Sequence, residues 1–501
     1  MRTSFKICAI APILLLPFGA WAVGDLDAKL LQAAQKPDSA ADVRALLANG
    51  ADANARAADG STPLIYAAHF GDGGSVQALL GAKGDPNITN RYGIGPMHEA
   101  ALRADAGLLK ALIDAGAEVD LALPQGETPL MLASRTSGVD AVRLLIARGA
   151  KVNVVERWQG ETALMYAAAH DRGEVAAALI AAGADVNART PLTDLPDRKP
   201  SVRYFVEIPM AGLTPVMFAA RHGAVSALRV LIKAGADLDA KTPEGFSPVV
   251  IALDNLHFDA AKVLVEAGAS ANGGGLFALV EARNRVNYVG EYQVPTGPES
   301  SLDVLKLMLS HGADLMDRLP EQLLDRDPRF GPPPPKITDL ALIRAARSSD
   351  VDAMRLLIDG GADPSLHDEK RGGITPLVAV MMGPELPALI EADRQPTEKQ
   401  AIAAIDFLLD HGVAPSIAND MGTTALHMAA LRDYPAVIRH MAERGVDLNV
   451  GDREGFTPFD YVLGRLPPRL RAKAPGADAA AAVALRELGA HGKDEQRTAA
   501  R

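Results

Sequence analysis

One stretch, 126–153 (GETPLMLASRTSGVDAVRLLIARGAKVN), dictates what this 501-residue chain can fold into. It reads as a single helix–turn–helix unit. The Thr128 hydroxyl caps a helix start by accepting free backbone N–H groups. Pro129 follows at the first helical position, where its missing N–H costs nothing. Leu130 and Ala133 put one large and one small residue on a short helix face. Val142, Leu145 and Ile146 recur at i, i+3 and i+4 as the apolar stripe of a second helix. Gly149 stops that helix, because glycine takes the left-handed position beyond a helix end without a Cβ clash. Two such helices bury too little apolar surface to stand alone, so copies must stack.

Copies are present at 60–64 with Ala67 and Ala68, and at 93–97 with His98, Ala100 and Ala101. Others lie at 160–164, 212–216, 245–249, 422–426 with His427, Ala429 and Ala430, and 455–459. Gly95 to Thr128, Thr214 to Ser247 and Thr424 to Thr457 are each 33 residues apart. The glycine closing the second helix falls at Gly50, Gly84 (one residue off the spacing), Gly116, Gly149, Gly183, Gly235, Gly268, Gly312, Gly361, Gly412, Gly445 and Gly489. The motif G-x-T-P-L, followed by small residues and an apolar helix ending in G-A-D, resembles the ankyrin repeat. The resemblance implies an all-α ankyrin-repeat solenoid of about twelve helix–turn–helix units over 23–490, with loop insertions in the C-terminal half. Such an array overrides the several domains that length alone suggests, because each unit contacts only its neighbours.

The first unit lacks T-P-L but keeps Val43, Leu46, Leu47 and Gly50, as an N-terminal cap would. Insertions near 188–210 and 319–337 fall on the inter-repeat finger side, and those near 283–298, 383–399 and 464–476 fall between the two helices of a unit. Within 188–210, Val202, Tyr204, Val206 and Ile208 alternate as a short strand would. Pro332 to Pro335 form an extended polyproline run. Residues 491–501 show no pattern and are expected to be a disordered tail.

Residues 1–22 read as a cleaved secretory signal. Arg2 and Lys6 precede an apolar run, 7–16, that is too short to span a bilayer, and Ala20-Trp21-Ala22 supplies a small-x-small cleavage site. Its removal takes away Cys8, the one cysteine, so no disulfide or thiolate metal site is expected in the mature protein. Export across the inner membrane of a Gram-negative cell, to the periplasm or beyond, follows as the expectation, with no membrane insertion. The balance is acidic, 51 basic against 62 acidic side chains, and no basic run is present, which argues against nucleic acid.

No reaction motif is present: no H-E-x-x-H, no P-loop, no G-x-S-x-G and no cysteine pair. Gly273-Gly274-Gly275 opens a helix and can hold an anion there. With no preceding strand and no Lys or Ser/Thr in place, it reads instead as a flexible finger and helix cap. His98 and His427 sit at the fourth position of T-P-L-H, where the resemblance implies an inter-repeat hydrogen-bond network. His222 ends a first helix, and His311 and His411 precede closing glycines, where a cation is favourable. Asp52, Asp185, Asp237, Asp314 and Asp363 repeat one turn position, which argues for backbone capping. No metal, cofactor or catalytic residue is expected.

The residue after T-P-L-H, which in the family faces a concave groove, reads Tyr66, Glu99, Leu132, Tyr166, Phe218, Ile251 and Met428. Rings there either anchor a partner or pack against the neighbouring finger. Finger tips add Tyr92, Arg157, Trp158 and Asp420, and the inserted loops add Tyr204, Phe205, Tyr288 and Tyr292 as contacts. The expected function is a monomeric periplasmic scaffold or adaptor that binds an unknown protein partner through groove and loops. A secreted effector engaging a host protein is one alternative, and a ligand-binding protein or enzyme with its site in the inserted half is another.

Overall fold

The computed structural model describes residues 24–191, 211–243, 245–286, 297–319, 338–383, 396–465 and 474–493. The signal segment and most of each insertion lie outside these, including the strand expected near Val202, and with them Tyr204, Phe205, Tyr288 and Tyr292. Two compact units are present, Met1–Pro243 and Glu244–Arg501. The first holds six helix pairs: α1 (Asp25–Ala34) and α2 (Ala40–Ala48), α3 (Pro63–Phe70) and α4 (Gly73–Gly81), α5 (Pro96–Leu102) and α6 (Ala106–Asp114), α7 (Pro129–Ser134) and α8 (Val139–Ala147), α9 (Ala163–Ala169) and α10 (Gly173–Ala181), α11 (Pro215–His222) and α12 (Val225–Lys233). The second holds six more: α13 (Pro248–Asp254) and α14 (Phe258–Glu266), α15 (Gly275–Val286) and α16 (Ser301–Ser310), α17 (Ala341–Arg347) and α18 (Val351–Asp359), α19 (Pro376–Met382) and α20 (Glu398–Asp410), α21 (Ala425–Leu431) and α22 (Pro435–Glu443), α23 (Pro458–Val462) and α24 (Ala480–Glu487). In each unit the first helices pack in one layer and the second helices in another. The expected all-α repeat class is realised in both.

The local causes are those read from 126–153. Thr62, Thr128, Thr162, Thr214 and Thr375 each accept the N–H three residues on, at 3.3–3.4 Å. One such cap contributes about 1 kcal/mol. A further copy, Gly373-Ile374-Thr375-Pro376-Leu377, opens α19 and adds to those counted from sequence. The alanine pairs Ala67/Ala68, Ala100/Ala101 and Ala429/Ala430 are 0% exposed, which lets adjacent first helices approach closely. Val142 and Leu145 are 0% exposed while Ile146 is half-buried, so the buried stripe of α8 is narrower than the sequence suggests. Each fully buried Leu contributes about 1.5–3 kcal/mol. In the end unit Val43 is buried, but Leu46 and Leu47 are half-buried, as suits a helix pair with one neighbour.

Gly149 has φ +90, and its N–H and that of Ala150 close α8 onto Ile146 O and Leu145 O, both at 3.0 Å. The irregular spacing at Gly84 has a specific cause. There Lys83 takes the left-handed position (φ 64) and donates to Leu80 O, while Gly84 stands where other units carry alanine and donates to Leu79 O.

Asparagines join the units. Asn54, Asn87 and Asn153 each accept the N–H of Asp85, Glu118 and Asp185 and donate to Lys83 O, Gly116 O and Gly183 O of the next unit. The repeated aspartates cap the same turns, as expected: Asp52, Asp185, Asp237, Asp314 and Asp363 accept the N–H two residues on, at 2.8–3.1 Å. Residues 491–493, placed in the tail by their lack of pattern, are held in the structure. Asn449 accepts the His491 N–H at 2.9 Å and Asp460 accepts the Lys493 N–H at 2.8 Å.

Between units the chain forms short finger hairpins whose tips are tied by backbone bonds, Arg91 N–H to Asp59 O and Arg157 N–H to Gln125 O in the first unit. The corresponding donor positions on the intervening fingers are Pro124 and Pro191, which have no N–H. A Cβ at Gly93 would lie 2.6 Å from Pro124 Cδ, so the finger needs glycine there for space as well as for its φ of +77.

Candidate protein-binding surface

The row after T-P-L-H is mostly interior. Glu99 is 7% exposed, Leu132 2%, Phe218 2% and Ile251 1%, while Tyr66, Tyr166 and Met428 are half-buried. The expectation of a groove lined by Leu132, Phe218 and Ile251 is therefore corrected. Adjacent first helices approach so closely across their alanine faces that this position is covered at the seam between them. Arg344 of α17 occupies the same register, donating its N–H to Leu340 O, and is 6% exposed.

The half-buried rings pack and hydrogen-bond within the chain. Tyr166 Oη donates to Glu127 Oε1 at 2.9 Å, and the Arg135 guanidinium lies over the Tyr166 ring, 5.4 Å from its centre, and 3.5 Å from Glu127. Burial, Glu127 and Glu161 push the Tyr166 phenol well above its ordinary value, so it stays a donor. Desolvation, then Glu156, pushes the Glu161 carboxyl up to about 7. Glu99 faces His69 Nδ1 at 2.9 Å.

The finger tips behave differently. Trp158 is 70% exposed and Tyr92 62%, with Met316, Val155 and Met421 at 57%, 50% and 40%. All five lie between helix pairs; among the described residues five more exposed large apolar side chains, Leu26, Phe70, Leu102, Val483 and Leu488, lie on helices or at a helix end and are less exposed than Trp158 and Tyr92. Of the residues expected to meet a partner, Tyr92 and Trp158 are therefore accessible. Sequence reading singled out neither Met316 nor Met421, because a lone methionine in a turn carries no pattern.

The histidines are structural. His427 accepts from the Thr424 N–H at 3.2 Å through Nδ1, while Nε2 reaches Phe456 O of the next finger at 3.0 Å, the inter-repeat link expected. His98 accepts from the Gly95 N–H at 2.9 Å, and burial drives its pKa down to about 4. His222, His311 and His411 each place Nδ1 at the carbonyl four residues back, at 2.6–2.9 Å. Burial lowers the His222 pKa, so it is held neutral where the sequence suggested a helix-end cation.

In the second unit, the part of the chain without a T-P-L motif before α17 is tied by ion pairs. Arg347, 1% exposed, meets Asp339 at 2.7 Å and Gly383 O at 3.0 Å, and Arg371 reaches the same Asp339 at 3.1 Å. Arg318 pairs with Asp368 at 2.6 Å, Arg283 with Asp350 at 2.7 Å, and Arg344 with Glu281. Each guanidinium has its carboxylate, so the convergence of charge here cross-links the inserted half. The Gly273-Gly274 helix start does hold an anion, and it is the chain's own: both N–H groups donate to the Asp317 carboxylate. Among the described residues no three His, Cys, Asp or Glu cluster as metal ligands would. No helix of the described residues is long and apolar enough to cross a membrane.

A family model for ankyrin repeats in three copies matches residues 30–122, 97–190, 198–273 and 342–452. Over 51 residues the chain is 35% identical to an ankyrin repeat-containing protein of Schizosaccharomyces pombe. That match covers 10% of this chain, which spans a quarter (25%) of the relative's length.

Proposed function

The chain belongs to the ankyrin repeat family, and on that premise we propose that it is an exported, periplasmic scaffold binding a protein partner along its fingers. Ankyrin repeats generally mediate protein–protein interaction. The observation that carries the reading here is that Trp158 and Tyr92, both at finger tips, are the most exposed large apolar side chains among the described residues. Anchors of this kind contribute about 2 kcal/mol or more each. The concave row contributes mainly to stacking, which moves the expected contact from groove to fingers. The N-terminal charge, short apolar run and Ala20-Trp21-Ala22 site support export, with the mature chain starting near Val23 and acting as a monomer.

Two double variants test the surface. Tyr92→Ala with Trp158→Ala should leave the melting temperature unchanged and reduce partner capture more than about tenfold. Tyr166→Ala with Phe218→Ala should lower the melting temperature and leave capture by the folded fraction intact. Undiminished capture by the finger variant would overturn the proposal. N-terminal sequencing of periplasmic protein tests export, and retention of Met1 would defeat it.

A further inference from the structure

We infer that Asn49 is a self-modification site, whose side-chain amide is lost to attack by the Gly50 nitrogen, leaving aspartate or isoaspartate in the turn that closes α2. The inference is independent of the protein-binding reading above.

Two Asn-Gly pairs occur in the sequence, Asn49-Gly50 and Asn272-Gly273, and alanine precedes both. Their intrinsic chemistry is therefore matched, and in each the attacking nitrogen belongs to a residue without a Cβ to hinder it. Of the glycines that close second helices, Gly50 alone follows an asparagine. In the reaction, the Gly50 nitrogen gives its proton to solvent and bonds to Asn49 Cγ. The Cγ–Nδ2 bond breaks, ammonia leaves, and a five-membered succinimide remains. Water opens that ring at either carbonyl. One opening gives aspartate, and the other gives isoaspartate with an extra methylene in the main chain.

The structure separates the two sites. At Asn272 both reacting groups are held: Oδ1 accepts the Asp314 N–H at 2.9 Å, and the Gly273 N–H is donated to the Asp317 carboxylate. The Gly274 N–H reaches the same carboxylate at 2.8 Å, and the Asn272 N–H reaches Ser270 Oγ at 3.2 Å. Opening this turn breaks a link between successive helix pairs. Asn49 has no such restraint. It is exposed, its side chain makes no hydrogen bond with the described residues, and the space beside Gly50 is open. Only the Gly50 N–H to Leu47 O bond, 3.0 Å, keeps the attacking nitrogen in the helix-closing turn, with Asn49 at φ −85 and ψ 6. That turn belongs to the end helix pair, with a neighbour on one side and Leu46 and Leu47 half-buried, so it opens before interior pairs do. Either product puts a carboxylate at the C-terminal end of α2, where the helix dipole disfavours it. It also lies three residues before Asp52, whose N–H the Asp27 carboxylate accepts at 2.8 Å. Reaction at Asn49 therefore loosens the end pair.

The purified protein is incubated at mildly alkaline pH, digested and mapped by mass spectrometry. The fragment bearing 49–50 should convert about tenfold or more faster than that bearing 272–273, and in guanidinium chloride the two should convert at equal rates. Equal rates in the folded protein, faster conversion at Asn272, or no conversion at Asn49 overturns the assignment. Hydrogen exchange reads the consequence. Asn49→Asp should speed exchange in α1 and α2 and leave α5 to α8 unchanged, and wild-type rates throughout would overturn the loosening. During incubation the wild type should drift towards the Asn49→Asp rates, while Asn49→Gln holds constant. Equal drift in both overturns Asn49 as its cause.

Discussion

Acidification should weaken this protein at His98 before its surface carboxylates matter. His98 is 1% exposed and its Nδ1 accepts the Gly95 N–H, so protonation both buries a charge and turns an acceptor into a donor facing a donor. The folded pKa, about 4, lies below the ordinary 6.5. For a histidine held neutral, the stability is fully present above the unfolded pKa and is lost as pH falls from about 6.5 towards about 4. Between about pH 7 and pH 5 the loss comes to about 2 kcal/mol, approaching about 3 kcal/mol below pH 4. Glu161 acts in the opposite sense. Its folded pKa is raised to about 7 from 4.5, so its contribution is present below 4.5 and lost as pH rises through 7. The comparison is therefore made against His98→Gln, which keeps Glu161 and offers Gly95 an uncharged acceptor. Hydrogen exchange of α5 to α7 at the two pH values, with urea midpoints beside it, reads the difference. If wild type and His98→Gln lose the same stability on acidification, the buried-neutral account of His98 is refuted.

Lys83→Gly should stabilise the α4 end by about 1 kcal/mol, because it relieves a side chain in the left-handed region, and a higher urea midpoint would show it. Gly149→Val at φ +90 should destabilise by more than about 1 kcal/mol, with hydrogen exchange rising first from 116 to 183. Asn153→Ala removes bonds to Asp185 and Gly183, and a loss of about 1–2 kcal/mol in chemical denaturation is expected. Arg347→Ala leaves the buried Asp339 with one arginine and should lower stability by about 3 kcal/mol in the same assay.

The repeat was legible because its signals are backbone requirements. Threonine caps, Pro at the first helical turn and glycine after the second helix serve the chain wherever it turns, so they recur in register. Lys83 escaped because a left-handed lysine looks like any surface lysine, and the displaced Gly84 was the only trace. The concave row left two readings open for a different reason. Whether Leu132 or Phe218 faces water depends on how far apart first helices stand, and the alanines that set that distance lie on neighbouring units. The Arg347–Asp339–Arg371 link joins residues that no short motif connects. The enlarged hairpin at 156–161 left two marks, a 34-residue step from Gly126 to Gly160 and a glutamate where Asn90, Asn419 and Asp452 brace other fingers. Neither has meaning until the Glu156 carboxylate is seen to reach the N–H groups of Trp158, Gln159 and Glu161.

The prolines at the finger tips have a mechanical consequence. A bond crosses from finger to finger at Arg91 and Arg157, and none can cross at Pro124 or Pro191. Within 24–191 the fingers are thus coupled two by two, with softer joints between the pairs. A bending load applied along this edge would concentrate its strain at Pro124 and Pro191, while Tyr92 and Trp158, each on the finger just before such a joint, would travel with their pairs as rigid bodies.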